Sequence, residues 1–336
     1  MSQTNPYYAG APEERNFEDS LRPASLGDFI GQRRTVDNLS IAVRAARDRG
    51  EPLDHVLFSG LPGVGKTTLA RIIASEMGTR LSVTSGPVLK RAADLVGMLT
   101  RLKRGDVLFI DEIHRIPADV EEYLYSAMED FRIALHVEQG PHARTVELPL
   151  ERFTLAGATT REGLLSEPFR SRFGLPLKLD FYPQEEIEAI VRRTASLLSL
   201  SIEPAAVATV ASRSRGIPRI ANRYVRRVRD LAQVRGAATV TDSIAREALE
   251  RLGVDRLGLE EIDRKILRAI LAASGQPLGL KTISVAVGEQ EGTIEEVYEP
   301  FLIRENFLIK TQRGRMATRR ASEHLEGSTP GPATLF

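Results

Sequence analysis

The sequence contains no cysteine and no tryptophan. Without cysteine there are no disulfides, thiolate nucleophiles or cysteine-ligated zinc, and a cytoplasmic location is expected. No uninterrupted apolar run approaches the ~18 residues that span a bilayer, so no transmembrane helix is expected. The start, MSQTNPYYAG, lacks the charged and apolar regions of a secretory signal. No sign of charge dominates: 46 Lys plus Arg stand against 45 Asp plus Glu, a net charge of +1. What remains is 42% hydrophobic and 27% charged. That is an ordinary globular composition, which excludes a wholly disordered chain, a collagen or a disulfide scaffold. At 336 residues the chain exceeds the roughly 250 at which single cores stop growing, so two or three domains are expected.

The charge is unevenly spread. Residues 213–229 hold seven Arg and no acid, and residues 301–320 hold six basic residues against one Glu. These stripes need a local explanation.

Residues 1–20, with Pro6 and Pro12, read as a loose arm, and helical patterning begins around Gln32–Asp48. From 55 to 181 short β-rich runs (55–60, 80–86, 106–112, 153–160 and 177–181) alternate with amphipathic stretches. In Thr67–Met77, for example, Leu69, Ile72, Ile73 and Met77 share one helical face. Apolar strands separated by helices predict an α/β fold with a parallel sheet covered on both sides. Residues 131–150 alternate around Gln139-Gly140-Pro141 and predict a projecting β-hairpin, either purely structural or a docking or pushing element.

Four helices are predicted from Pro183 to Gly253, at Gln184–Ser199, Pro204–Arg213, Pro218–Arg235 and Thr241–Leu252. They form a small all-helical domain. Three more follow, at Leu259–Ser274, Leu280–Val287 and Thr293–Glu305, and then a hairpin turning at Gln312-Arg313-Gly314. Three helices and a β-wing describe a C-terminal winged-helix domain. The expected division is therefore 1–182, 183–254 and 255–336, with a disordered Gly/Pro-rich tail.

Gly60-Leu61-Pro62-Gly63-Val64-Gly65-Lys66-Thr67 matches G-x-x-x-x-G-K-[ST], following a predicted strand and opening a predicted helix. Its glycines let backbone N–H groups wrap phosphate oxygens at a helix N-terminus. Lys66 is placed to reach the β- and γ-phosphates, and the Thr67 hydroxyl to ligate Mg²⁺. Asp111 and Glu112 end the strand VLFIDE, at the ligand-binding edge of such a sheet. Asp111 is a candidate for holding Mg²⁺ and Glu112 for polarising an attacking water. His114 lacks a second histidine at metal-ligand spacing and reads as a polar contact near the site. Thr159 or Thr160 sets a hydroxyl at the same edge. Arg170, Arg172 and Arg219 are candidate phosphate-sensing arginines, any of which could also be a solvated surface residue.

GLPGVGKTT, VLFIDEIH, GATTR, RSRFG and GIPRIAN occur in the order seen in AAA+ ATPases. With DFIGQ, TSGPVL, PRIANRYVRRVRD and RGRMAT, the chain resembles, over about residues 18–325, the RuvB family of bacterial Holliday-junction branch-migration motors. The resemblance implies an AAA+ P-loop domain, a small helical domain and a winged helix. It also implies ATP and Mg²⁺, and a hexameric ring around duplex DNA. Partners would be RuvA, docked through the 131–150 hairpin, and the RuvC resolvase. Leu21 and Arg22 would contact the base; Gly63, Gly65, Lys66, Thr67 and Thr68 would hold phosphates and metal. Glu129, Asp130, Phe131 and Tyr182 would complete the pocket. Thr159 would be the first sensor, Arg219 the second, and Arg172 a finger inserted into the neighbouring subunit's site. On the wing, Lys310, Arg313 and Arg315 would meet DNA backbone. Gly292 departs from the family pattern, standing where that pattern puts a basic DNA contact. The Arg run 213–229 carries an apolar face (Ile220, Tyr224, Val228 and Leu231), which leaves its arginines for subunit interfaces.

Two other functions share parts of this pattern. A clamp-loader-like ATPase would carry a helical collar as its third domain, which the winged-helix pattern opposes. A nucleotide-gated DNA-binding switch would have no use for repeated hydrolysis, which Glu112 and Arg172 together favour.

Overall fold

The run Val56-Leu57-Phe58 is buried on both faces, so its strand needs a partner on each side and a cover above and below. The computed structural model describes residues 21–136 and 145–326, and it supplies both. Strands β1 (Val56–Gly60), β2 (Leu81–Ser85), β3 (Val107–Asp111), β6 (Thr154–Thr159) and β7 (Leu175–Leu179) form one sheet in the order β2-β3-β6-β1-β7. Every pairing in it is parallel. β4 (Arg132–His136) and β5 (Thr145–Pro149) pair antiparallel, Arg132 opposite Pro149, as the separate hairpin predicted from the alternation. Its turn at Gln139-Gly140-Pro141 lies outside the described residues, as do the N-terminal arm and residues 327–336.

β7 starts two residues earlier than the apolar run 177–181 suggests. Its register is set by β1, where Val56 pairs Leu175 and Gly60 pairs Leu179. Pro176 reads as a strand breaker, yet β7 is an edge strand and can do without that amide. One face of the sheet packs Leu57, Leu108, Ile110 and Leu155 against Leu95, Leu99, Val120 and Leu124 from helices α3 (Ala92–Leu99) and α4 (Ala118–Glu129).

The described chain divides into two compact units, ending and starting at Tyr182 and Pro183. The second unit opens with helices Gln184–Leu197, Pro204–Arg213, Pro218–Val234 and Asp242–Arg251. Then come Glu261–Leu271 and Leu280–Val287, whose Ile266, Leu267, Ile270 and Ile283 close a second core with Phe301, Phe307 and Leu308. The predicted helix 293–305 is not continuous. Glu291–Thr293 leads into a π-helical stretch, Ile294–Tyr298, and then Glu299–Arg304. Pro300 cannot donate to the Glu296 carbonyl and its ring crowds that oxygen, so the preceding turn widens. Gly292 is exposed in the first of these turns. β8 (Leu308–Thr311) and β9 (Gly314–Ala317) make the wing, and Leu278 adds a bridge to Arg315. A last helix, Arg319–Glu326, has Ala321 and Leu325 buried four residues apart. It was not expected from the sequence.

A buried ion pair ties the helical part of this unit to its winged part. Arg215, in the left-handed region at φ 58°, donates through Nη2 to Asp263 Oδ2 (2.6 Å) and through Nε to the Gly258 carbonyl (2.8 Å). Its guanidinium also lies over the Phe301 ring, 4.7 Å from the centroid. Burial pushes the Asp263 carboxyl up to about 6 against the pull of Arg215, which still leaves it ionised at neutral pH. Asp263→Ala is expected to cost about 3–5 kcal/mol, because it strands a buried guanidinium. Urea denaturation at pH 7 measures this; a change below about 1 kcal/mol would show that the pair contributes little.

Candidate active site

Because β1, β3 and β6 are parallel and in register, their C-terminal ends lie side by side. That edge gathers the Gly60–Lys66 loop after β1, Asp111 and Glu112 after β3, and Thr159 ending β6. Gly60 is required by its neighbour: a Cβ there would sit 2.2 Å from the Leu179 carbonyl oxygen. Gly63 (φ 80°) and Gly65 (φ 115°) turn the loop's amides inward and lead into helix α2 (Lys66–Met77). Lys66 is buried, and its Nζ donates to the carbonyls of Gly60 (2.7 Å) and Leu61 (2.8 Å). Thr67 and Thr68 are half-buried in the first turn of α2.

The acidic pair has its own geometry. Asp111 Oδ1 accepts the Glu112 amide at 3.0 Å. Glu112 takes φ 47°, an uncommon conformation for a residue with a side chain. Gly86 makes room for it, since a Cβ there would fall 2.4 Å from the Glu112 carbonyl oxygen. The Glu112 carboxylate accepts from Arg115 Nη1 at 2.9 Å. Thr159, fully buried, accepts the Arg161 amide (3.0 Å), and its hydroxyl lies 2.9 Å from His114 Nδ1. His114 is thus a polar contact of Thr159, as its isolation in the sequence suggests.

Two residues near the loop were not assigned roles from the sequence alone. A Cβ on Gly65 would meet the Phe29 ring at 2.9 Å, so Phe29 packs directly on the loop. Arg115 was missed because only the fold turns it back onto Glu112. Tyr182, by contrast, meets the loop as expected, its hydroxyl donating to the Val64 carbonyl at 2.9 Å. Leu21 is buried and Arg22 half-buried at the start of the described chain. Arg219 is exposed at the start of helix Pro218–Val234, in the other unit.

The remaining candidates lie elsewhere. His55, which was no candidate, immediately precedes β1 at the N-terminal edge of the sheet; its Nδ1 accepts the Leu155 amide and its Nε2 donates to the Met128 carbonyl. Burial lowers its pKa, which keeps it neutral. Phe131 packs 6.2 Å from this imidazole and 6.0 Å from the Phe153 ring. Glu129 pairs with Arg172 at 3.1 Å, and Arg172 stands just before β7 begins at the same edge. Asp130, next to them, and Arg170 are exposed. Within one chain, therefore, Glu129, Asp130, Phe131 and Arg172 are not brought to the phosphate loop. They sit one strand length away, ~13 Å for the five residues of β1.

The wing corrects a second expectation. Arg315 is buried: its Nε donates to Glu299 at 2.6 Å and its Nη2 lies 3.5 Å from Glu295. It therefore cannot line an open DNA-facing surface. Lys310, half-exposed, pairs with Glu295 at 2.7 Å. Arg313 is exposed in the turn, with no ion pair among the described residues.

If the loop is the nucleotide site, Gly65→Ala strains a backbone that only glycine adopts easily and presses on Phe29. Nucleotide affinity is expected to fall about tenfold or more. Equilibrium titration with a fluorescent nucleotide measures it, and unchanged affinity would remove the loop from the site.

Three family descriptions match in succession. Residues 21–179 match the Holliday junction DNA helicase RuvB P-loop domain, 182–255 the RuvB AAA lid domain and 256–326 the RuvB C-terminal winged helix domain. The chain is 55% identical over 309 residues to the Holliday junction branch migration complex subunit RuvB of Chlorobium chlorochromatii, covering 92% of this chain and 88% of the relative. It is 51% identical to the same subunit of Salinibacter ruber, covering 94% and 92%. Among solved structures, the Thermotoga maritima RuvB Holliday junction branch migration motor aligns with a TM-score of 0.85 at 50% identity. That match covers 93% of this chain and 100% of the other. The parallel sheet with its phosphate loop, the helical lid and the winged helix are those of an AAA+ nucleotide-binding protein, and the chain belongs to the RuvB family.

Proposed function

We propose that the chain is an ATP-dependent motor that translocates duplex DNA and drives branch migration at Holliday junctions. It works as a hexameric ring with RuvA, docked through the 131–150 hairpin, in a larger assembly with RuvC. The observation that carries this reading is the placement of Arg172 at the sheet edge opposite its own phosphate loop. An arginine there stands about a strand length from the phosphate loop of its own chain, which supports a role at a neighbour's nucleotide. A site completed by the next subunit couples hydrolysis to movement between subunits. The relatives, subunits of a Holliday junction branch migration complex, point to the direction of the work.

The chain's groups divide the chemistry among them. Amides of the Gly60–Thr67 loop wrap the phosphates, and Lys66 exchanges the Gly60 and Leu61 carbonyls for phosphate oxygens. Leu21, Arg22 and Tyr182 hold the base side of the pocket. Oxygen donors suit Mg²⁺, and the Thr67 hydroxyl and Asp111 carboxylate would hold it; when bound it neutralises phosphate charge. Glu112 leaves Arg115, orients the attacking water and accepts its proton. Thr159 senses the γ-phosphate and passes its state to His114. Arg172 of the neighbouring subunit, with Glu129, Asp130 and Phe131 beside it, closes the pocket and offsets charge developing on the transferred phosphoryl group. Arg219 reports nucleotide state to the lid. Arg313 and Lys310 on the wing meet DNA phosphates, contacts that carry no sequence information and so suit movement over any sequence.

Two measurements test the reading. A synthetic four-way junction is expected to be resolved into duplexes with ATP and RuvA, and resolution is expected to vanish in Lys66→Ala. ATP hydrolysis and DNA binding without junction movement, even with RuvA, would return the chain to the loader or switch class. In Glu112→Gln, nucleotide affinity is expected to persist while turnover falls about 10²–10⁴-fold, because an amide cannot take the proton from water. Near-normal steady-state turnover would remove Glu112 from that role.

A further inference from the structure

Arg172 is held by one face of helix α4. Glu121, Tyr125 and Glu129 stand four residues apart on that helix and so line up along one side. The Arg172 guanidinium lies over the Tyr125 ring, 4.6 Å from its centroid. Its Nη2 donates to Glu129 at 3.1 Å and its Nη1 to the Pro168 carbonyl. Nε is buried with no hydrogen-bond partner among the described residues, so the aromatic face is what offsets that part of the cation.

The ring is itself anchored. Tyr125 Oη donates to Glu121 Oε1 and lies 3.0 Å from Ser166 Oγ, which also donates to Glu121 at 2.8 Å. Ser166 caps the short helix Glu167–Arg170 that leads to Arg172, accepting the Phe169 amide at 3.3 Å. Phe169 then packs 5.7 Å from the Tyr125 ring. The segment carrying the arginine and the platform beneath it are thereby locked to the same helix.

We propose that Tyr125 is a positioning residue for Arg172, a fixed aromatic platform that presents the guanidinium to the nucleotide held by the neighbouring subunit. The proposal rests on the reading of Arg172 as a finger acting between subunits. Glu129 does not substitute for the ring. Its carboxylate is 56% exposed, so the ion pair is weak and can open when phosphate competes for the guanidinium. The ring is fixed by Glu121 and Ser166 and keeps its hold throughout.

The test uses the full chain with Tyr125→Leu and Tyr125→Phe. Loss of the platform in Tyr125→Leu is expected to lower kcat for ATP about tenfold with nucleotide affinity unchanged. Tyr125→Phe keeps the ring and is expected to stay near the parent. Mixed assemblies then separate a role on the neighbour's site from a structural role on the chain's own site. Tyr125→Leu mixed with Lys66→Ala is expected to recover activity, since the second subunit brings an intact finger to the first subunit's intact loop. Tyr125→Leu mixed with Arg172→Ala is expected to recover nothing, since both subunits lack a working finger. The reverse pattern, or no recovery in either mixture once native mass spectrometry shows co-assembly, would overturn the proposal. Tyr125→Met takes the place of Tyr125→Leu in the same pairs if the leucine variant does not assemble. A mixture of Arg172→Ala with Lys66→Ala is the control. Its failure to recover would refute the finger reading itself, whereas its recovery without the Tyr125 pattern would refute the platform alone.

Discussion

The common direction and register of β1, β3 and β6 govern everything else in the first unit. Parallel strands end on one edge, and there the chain places its phosphate loop, its acidic pair and Thr159. They also begin on one edge, where His55 binds β6 through the Leu155 amide and α4 through the Met128 carbonyl. A neutral imidazole suits this junction, because it donates once and accepts once with no charge to bury. The two edges are fixed ~13 Å apart by the strand between them. A group at the beginning of β7 therefore cannot work on a phosphate at the end of β1. The separation of the two edges is thus a geometric property of this sheet, independent of any relative.

Buried charge is used differently in the second unit. On the wing, Lys310 and Arg315 stand directly opposite one another across the ladder, a repulsive pairing if left alone. Glu295 and Glu299, from the helical stretch below, lie between and neutralise both. The cost of burying Arg315 is met by a bidentate carboxylate, and the outward charge of the wing falls to Arg313 and the half-exposed Lys310. The same device recurs where Arg215 joins Asp263. Removing one partner of either pair would leave a charge in a dry interior, so these arginines fix domain geometry and have no freedom to contact a ligand.

The legible parts of the sequence were those in which a local structure is written within a few residues. The loop 60–67, the acids ending β3 and the helix boundaries Pro204–Arg213 and Leu280–Val287 all follow from local spacing or local caps. What could not be read depends on partners distant in the chain. Arg315 looks like its neighbour Arg313 until Glu299 is folded beneath it. Glu129, Asp130 and Phe131 are assigned to the pocket by resemblance alone, yet they stand at the end of α4, which runs from the site towards the opposite edge. β7 was displaced because Pro176 is acceptable only on an edge, and edge position is a property of the sheet. The π-helical turn before Pro300 is a case where the local signal was present, since the proline alone forbids a regular helix there.

Three residues with side chains, Glu112, Phe131 and Arg215, take left-handed backbone conformations next to the features that matter most. Each conformation costs of order 1 kcal/mol and persists only where its surroundings overdetermine it. Glu112 is held by Asp111 below its amide, by the Arg115 amide on its carbonyl and by the absence of a Cβ on Gly86. Phe131 is held by the Leu150 amide on its carbonyl and by the aromatic contacts of its ring. Arg215 is held by Asp263 and the Gly258 carbonyl, and Gly258 in turn packs where a Cβ would fall 2.8 Å from the Arg213 carbonyl oxygen. In all three the reversal of backbone direction comes at the end of an element, so the side chain is aimed by the main chain and not only by its rotamer. A carboxylate turned onto Arg115, a hairpin that leaves the sheet and a guanidinium that crosses between two parts of one unit share that requirement.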